Sequence, residues 1–359
     1  MSRSTISQER SGRFRARYLA PTGRWVSRTF DLKSEARRWL RSELAQIDRA
    51  AWADPKRRAT RLADWATTWS DSLVGLKPKT IDGYRTLLRV HVLPRFGHLP
   101  LDQIRPSDVQ AWIVDLERAG LSPSRIRQAR QVLGAIYRAA IAEGLVSTNP
   151  IDVTRLPRKT LVRPEIPRPE TIRLIADELT PPSDLTMLFL AYTGVRWGEM
   201  AALRVKDLDI AAERAHIRQS LSEVRGQLYW GAPKTHRNRV IGVPTFLIER
   251  LDNITEDRSA DDLVFTTRRG AVLRSTNWRT QVWLPALKRA GLDSSLRTHD
   301  LRHFCASVLI SSGASATLVA RLLGHSSPRV TLDIYSHLFP DELADISDRL
   351  HSIYQASDR

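Results

Sequence analysis

Residues 12 to 30 read GRFRARYLAPTGRWVSRTF, and Phe14, Ala16 and Tyr18 alternate there with Arg13, Arg15 and Arg17. PTG supplies a turn and Trp25 begins a second run, so the period of two predicts a hairpin. Ser34 then caps a helix with Ala36, Trp39, Leu40, Leu44 and Ile47 on its inner face. From residue 61 to 149 the apolar spacing lengthens to that of helices. Leu62, Trp65, Trp69 and Leu73 mark the first, and KPKTIDGYRTLLRVHVLP starts a second near Thr80 that stops by Pro94. SDVQAWIVDLERAG forms a third, from Ser107 to Gly120. The fourth has Ser122 as its cap, Pro123 in its first turn and Gly144 after its end. Four helices on short loops make a bundle, with Trp65, Trp69, Trp112 and Tyr137 in its core.

Five prolines at 150, 157, 164, 167 and 169, among basic residues, predict an extended and fairly stiff linker. Beyond it, helices are expected at 169–179, 184–193 and 198–204, strands from about 207 to 244, and mainly helices to the end. A chain of 359 residues exceeds one ordinary core. The expected architecture is multidomain and mainly α with small β-sheets. Residues 1–55 form a ββ(β)α unit, 60–149 a helical bundle, 150–168 a basic Pro-rich linker, and 169–359 a mixed α/β domain with a C-terminal tail.

Composition narrows the class. Lysine plus arginine number 56 against 39 acidic residues, a net charge of +17. That excess favours a polyanionic partner, most simply nucleic acid. It is uneven: residues 1–60 hold 15 basic against six acidic side chains. Arg13, Arg15 and Arg17 could meet phosphates, or could be an edge kept charged against aggregation. Arg125, Arg127 and Arg130 on the fourth bundle helix are further phosphate contacts. A single cysteine, Cys305, excludes an internal disulfide, and its apolar neighbours read it as a small core residue. No apolar leader and no membrane-length stretch occur, so a soluble protein is expected.

The chemistry-bearing residues lie late in the chain. YTGVRWGEMAAL (192–203) ends one helix at Gly194 and sets Arg196 and Glu199 three apart on the next. THDLRHF (298–304) puts His299 and Arg302 on one helix face. His299 and His303 are also i, i+4, which invites zinc, but a metalloprotease needs Glu where Asp300 stands. His303 itself reads as packing or surface. LGHSSPRVTLDIYSH (323–337) places His325 after a helix end and Tyr335 ten residues on, with SSPRV as a turn and helix start.

Arg196, His299, Arg302, His325 and Tyr335, in the contexts TGxRxGE, HxxRH, LLGH and a following tyrosine, resemble the tyrosine recombinases, the phage-integrase class of site-specific recombinases. The resemblance covers about residues 170–340 closely and the whole chain in layout. It implies a catalytic domain of tyrosine recombinase type behind a helical core-binding domain and a small arm-binding unit. It also implies a lysine on a β-hairpin between the first arginine and HxxR. Lys234 in YWGAPKTHRNRVIGVP fits, with Lys206 as its rival.

By the same resemblance, Tyr335 attacks a DNA phosphodiester, leaving a 3′-phosphotyrosine and a free 5′-hydroxyl, without metal or other cofactor. Arg196 and Arg302 grip the non-bridging oxygens, Lys234 protonates the leaving 5′-oxygen, His299 helps move the tyrosine proton, His325 bonds the phosphate, and Glu199 orients the first arginine and histidine. Planar guanidiniums suit the task because they hold two oxygens at once. Removing one such donor costs about 3 kcal/mol of transition-state stabilisation.

The extra N-terminal unit points to an integrase of a phage, prophage or integrative element, with an Xer-like resolvase or a conjugative-transposon recombinase as the alternatives. Implied partners are double-stranded DNA at core-type and arm-type attachment sites and three further copies of the chain, with an excisionase and a host DNA-bending protein as accessories. The expected place is the cytoplasm of a bacterial cell, at the nucleoid. Leu338, Leu343, Ile346 and Leu350 would make the tail amphipathic, docking on a neighbouring protomer or on its own domain. Competing classes are a DNA-binding regulator with an inactive site and a metal-dependent nuclease; the absence of clustered carboxylates argues against the second.

Overall fold

The computed structural model describes residues 4–21, 23–48, 60–158, 165–233, 238–339, 350–351 and 353–355. The chain divides into two compact units, Met1–Leu161 and Val162–Arg359.

In the first unit, β1 (Ser4–Gln8), β2 (Phe14–Leu19) and β3 (Trp25–Phe30) form an antiparallel sheet in that order. The alternation read from the sequence is realised on β2. Ala16 and Tyr18 are buried under α1 (Lys33–Asp48), with Leu40 packed beside Tyr18. Fully burying such a side chain contributes roughly 1.5–3 kcal/mol. The Tyr18 hydroxyl donates to the buried Glu43 carboxylate at 2.9 Å. Ser34 lies in the first turn of α1 rather than at its cap. Arg13, Arg15 and Arg17 take the outer face. Arg13 pairs with Asp31, Arg15 with Glu9, and Arg17 bonds Thr5 and stacks over Trp25.

The bundle follows as α2 (Leu62–Asp71), α3 (Pro78–Leu87), α4 (Leu93–Phe96), α5 (Pro106–Arg118) and α6 (Pro123–Ala142). The second helix does not stop at Pro94. A π turn over Leu88–Val92 widens it, with the Leu93 N–H bonded to the Leu88 carbonyl. Pro94 then falls in the first turn of α4, where no backbone donor is required. Ser122 caps α6 by accepting from the Arg125 N–H. Trp69, Trp112 and Tyr137 are buried in the shared core, and Trp65 packs beside them.

The segment expected to be linker begins as part of this core. Ile151 is buried against Gly134, where an added Cβ would lie 2.0 Å from the Ile151 Cδ1 and would make that side chain shift. Arg130 is drawn into the same junction, donating to Thr154 Oγ1 at 2.8 Å and to the Ile151 carbonyl at 2.6 Å. Its guanidinium is therefore engaged by the bundle, unlike the exposed Arg127.

The second unit opens with α7 (Pro169–Asp177), α8 (Ser183–Thr193) and α9 (Trp197–Met200). β4 (Leu208–Asp209), β5 (Arg214–Ile217), β6 (Ser220–Val224), β7 (Gln227–Gly231) and β8 (Arg239–Gly242) follow. They form a three-stranded sheet, β4-β5-β8, and a separate β6-β7 hairpin. Then follow the helices α10 (Thr245–Thr255), α11 (Ser275–Trp278), α12 (Leu284–Arg289), α13 (Asp300–Ser311), α14 (Ala316–Leu323) and α15 (Pro328–Tyr335). Phe189, Phe265, Leu247, Trp283, Leu301 and Phe304 lie in the main core, and α13 packs along α8. A smaller cluster joins Cys305, Ile310, Val319, Leu323 and Tyr335. Leu338 packs on that cluster, Leu350 is exposed, and Leu343 and Ile346 lie outside the described residues. Among the described residues no helix is long and apolar enough to cross a membrane.

Candidate active site

Local sequence rules place each side chain. Gly194 ends α8 in the left-handed conformation, at φ 62°, its N–H bonded to the Leu190 carbonyl. Arg196 is the cap residue of α9, an unusual choice, and Glu199 compensates by accepting from the Arg196 backbone N–H at 2.9 Å. The same carboxylate takes the Arg196 side chain at 2.9 Å. On α13, Asp300 accepts from the Arg297 N–H and from its guanidinium, which pins the turn before the helix and aims Arg302 inward.

The end of α14 gathers these groups. Gly324 adopts φ 66°, its N–H bonds the Arg321 carbonyl, and the His325 N–H reaches back to the Ala320 carbonyl at 2.9 Å. Such a closure leaves the last carbonyls of the helix unpaired. Three arginines take them. Arg239 donates to Leu322 at 2.9 Å, Arg302 to Leu323 at 2.6 Å, and Arg196 to Gly324 at 2.9 Å. The negative end of a helix dipole suits cations, at about 0.3–1 kcal/mol each. Arg302, 4% exposed, also donates to the Gly194 carbonyl at 2.6 Å. Burial and the neighbouring Arg196 push its guanidinium down to about 9.

Glu199 binds the cluster together. It is 1% exposed, and Arg239 grips both its oxygens, at 3.1 and 2.6 Å. Burial works to raise its carboxyl, but Arg239 and Arg196 prevail and hold it below the ordinary range. Two of these roles are missing from the sequence reading. Arg239 stands in a generally basic stretch of sequence, yet it shares a strand face with the buried Ile241 and so points inward. Thr331, buried on α15, sits with its Oγ1 2.8 Å from Nδ1 of His325. Burial first, then the charges of Arg302 and Arg196, bring His325 down to about 4.

Tyr335 ends α15 in the smaller cluster, 1% exposed. Burial pushes its phenol up to about 12, against the opposing pull of Arg302. Its hydroxyl lies 2.6 Å from Nδ1 of His303, so His303 is neither plain packing nor plain surface. His299 stands beside it, the two rings edge to face with centroids 5.2 Å apart. The structure thus brings Arg196, Glu199, Arg302, His325 and Tyr335 to one neighbourhood, with His299 at its border through His303. Lys234 lies outside the described residues. Its rival Lys206 is exposed and paired with Asp261. Cys305 is buried, and burial pushes its thiol up to about 12, as befits a core residue.

Three family models match in succession: the phage integrase N-terminal domain over residues 4–49, the phage integrase central domain over 62–156, and the phage integrase family over 170–342. The chain belongs to the phage integrase family. It is accordingly a tyrosine recombinase, a site-specific recombinase of the kind that serves integration or excision of mobile elements. A putative prophage phiRv2 integrase of Mycobacterium tuberculosis is 29% identical over 348 residues, 92% of this chain and 90% of that one. The solved Tn1549 transposon integrase, in complex with transposon right end DNA, shares the fold at a TM-score of 0.71. It is 20% identical and covers 81% of this chain and 100% of its own. A lambda integrase dimer bound to a core site matches at 0.61 and 18% identity, over 94% of this chain and 95% of its own. The match to the phage integrase N-terminal domain covers the small N-terminal sheet unit.

Proposed function

We propose that Tyr335 is the nucleophile of this integrase and that its phosphate-binding partners are side chains alone. The phenol oxygen attacks a DNA phosphorus, the bond to the 5′-oxygen breaks, and the 3′-phosphate is left on the tyrosine. Keeping the phosphate ester in the covalent intermediate removes any need for a nucleotide cofactor. The observation that carries this reading is the convergence of Arg196, Arg239 and Arg302 on three successive carbonyls at the end of α14, beside His325 and Tyr335. A guanidinium has five donors, so Arg196 and Arg302 each keep N–H groups beyond those engaged, for the non-bridging oxygens. This fixed positive cluster is the basis for assigning charge neutralisation to arginine in place of a divalent ion.

His325 is held by Thr331 and would donate to the phosphate. Glu199 orients Arg196, and Lys234 is the proposed acid for the leaving 5′-oxygen. The turn at Ser326 and Ser327, with Pro328 opening α15, is the place where the tyrosine helix can shift as DNA seats.

Double-stranded DNA is the proposed partner. The bundle, residues 60–149, would take core sites through Arg125 and Arg127. Residues 1–55 would take arm sites through Arg13, Arg15 and Arg17, with a tetramer as the active assembly. The net charge of +17, and similar structures determined on DNA, support this arrangement. An excisionase and a host bending protein would be accessories. The test is trapping on a nicked duplex carrying the crossover site, identified from the element's own junctions with the chromosome. The wild type should form an adduct that maps to Tyr335, and Tyr335→Phe should bind the duplex without forming one. An adduct at any other residue would sink the assignment.

A further inference from the structure

We propose that His303, the residue after the second arginine, is the general base that takes the Tyr335 proton during cleavage and returns it during rejoining. This rests on the phosphotyrosine reading and deepens it. Nδ1 of His303 lies 2.6 Å from the Tyr335 hydroxyl, within the reach a base requires. His299, which the HxxR pattern offers for the same task, has its described contact with the His303 ring. His299 caps α13 and His303 lies four residues on in its first turn, so one turn separates the ring beside the nucleophile from the ring that motif analogy would choose.

The surroundings suit an acceptor. His303 is faced by Asp300 and Arg302 on its own helix, by His299 at the cap of that helix, by Arg297 from the preceding turn, and by Tyr335 on α15; the charge of His325 also interacts with it. Asp300, the one carboxylate in that set, is already tied to Arg297. Burial, then the two arginines, hold His303 below the ordinary histidine range against the pull of Asp300, which favours the neutral ring that a base requires. Nδ1 then accepts from the phenol with the ring proton on Nε2. Tyr335 needs such help, because burial has made its own ionisation harder. Arg302 and His303 are adjacent on one rigid helix, so the phosphate grip and the base move together.

The step balances. The phenol O–H breaks as the oxygen–phosphorus bond forms, and the proton passes to Nδ1, giving an imidazolium. The bond from phosphorus to the 5′-oxygen breaks, and that oxygen takes a proton from the acid proposed as Lys234. On rejoining, the 5′-hydroxyl gives its proton back to the neutral amine proposed as Lys234 as its oxygen bonds phosphorus, the bond from phosphorus to the tyrosine oxygen breaks, and His303 returns the proton to that oxygen.

The full-length protein and the nicked duplex serve as the test, with adduct formation followed in a single turnover. His303→Asn sets an amide near the position of Nδ1, so it can keep the hydrogen bond but cannot take a proton. It should bind DNA and unfold as the wild type does, yet form the adduct about 10²–10⁴-fold more slowly. Installing 3,5-difluorotyrosine at position 335, a more acidic phenol, should restore most of that loss in His303→Asn and little of it in Arg302→Lys. Wild-type rates in His303→Asn would overturn the proposal, because a hydrogen bond alone would then suffice. Faster cleavage by His303→Ala would overturn it too, by showing that the contact restrains the tyrosine. Rescue of His299→Asn by the fluorinated phenol, with His303→Asn unaffected, would move the base to His299. In these three cases Tyr335 still forms the adduct and the functional reading stands. A wild-type adduct at another residue would overturn both.

Discussion

Arg239 holds both carboxylate oxygens of Glu199 from a strand forty residues away, and Arg196 completes the clasp from the other side. Removing one partner of a buried pair leaves an uncompensated charge, at a cost of about 3–5 kcal/mol. Arg239→Ala is expected near the lower end of that range, because Arg196 stays on Glu199. Denaturant unfolding measures it. The double variant Arg239→Ala with Glu199→Gln should lose less than the two single losses together, and additive losses would count against the coupling.

Arg302→Lys addresses the phosphate grip. A lysine offers one ammonium where the guanidinium spans the carbonyls of Gly194 and Leu323. Adduct formation should fall by about 10²–10³-fold, the size of losing one preorganised donor. DNA binding in a gel-shift assay should hold.

Stability of the second unit should fall on both sides of neutrality. His325 is held down to about 4 in the fold, and its ordinary value is 6.5. Below 6.5 the unfolded chain therefore binds the proton more readily, and stability is lost as pH drops from 6.5 towards 4. His303 is shifted in the same direction. Tyr335 is raised to about 12 from 10, so its contribution is complete below pH 10 and is lost as pH rises through 12. Urea midpoints at pH 5, 7.5 and 10.5 should peak at the middle value.

Lys234→Ala should slow cleavage of an ordinary duplex. A 5′-bridging sulfur leaves as thiolate without protonation, so the same variant should cut that substrate at nearly the wild-type rate. A persistent defect would assign the acid elsewhere.

Deleting residues 1–55 should abolish arm-site binding and leave weak core binding. Footprints on a duplex carrying both site types report each. Undiminished integration by the truncated protein would remove the arm role.

The pattern of the chain showed most of what is built from neighbours. TGVRWGE contains a left-handed glycine cap and a glutamate that reaches back three residues, and both geometries are local. LLGH likewise carries its own closure. Arg239 was hidden because its partners, Glu199 and Leu322, are 40 and 83 residues distant. The contact of His303 with Tyr335 spans thirty-two residues, so no local pattern shows it. β1 has a single apolar residue, Ile6, in STISQ, too weak a signal to stand alone. Arg130 looked like a surface cation, since the chain that engages it, Ile151 to Thr154, lay in a stretch whose prolines suggested an open linker.

At the end of α14 all three arginines meet peptide oxygens, those of Leu322, Leu323 and Gly324. Main-chain anchors survive any substitution that leaves the backbone path intact. The exposed positions of that helix, such as Thr317 and Arg321, can therefore be varied widely while the reactive centre stays assembled. A family under pressure to change its target sequences, or an engineer with the same aim, has there a surface that can drift without disarming the enzyme.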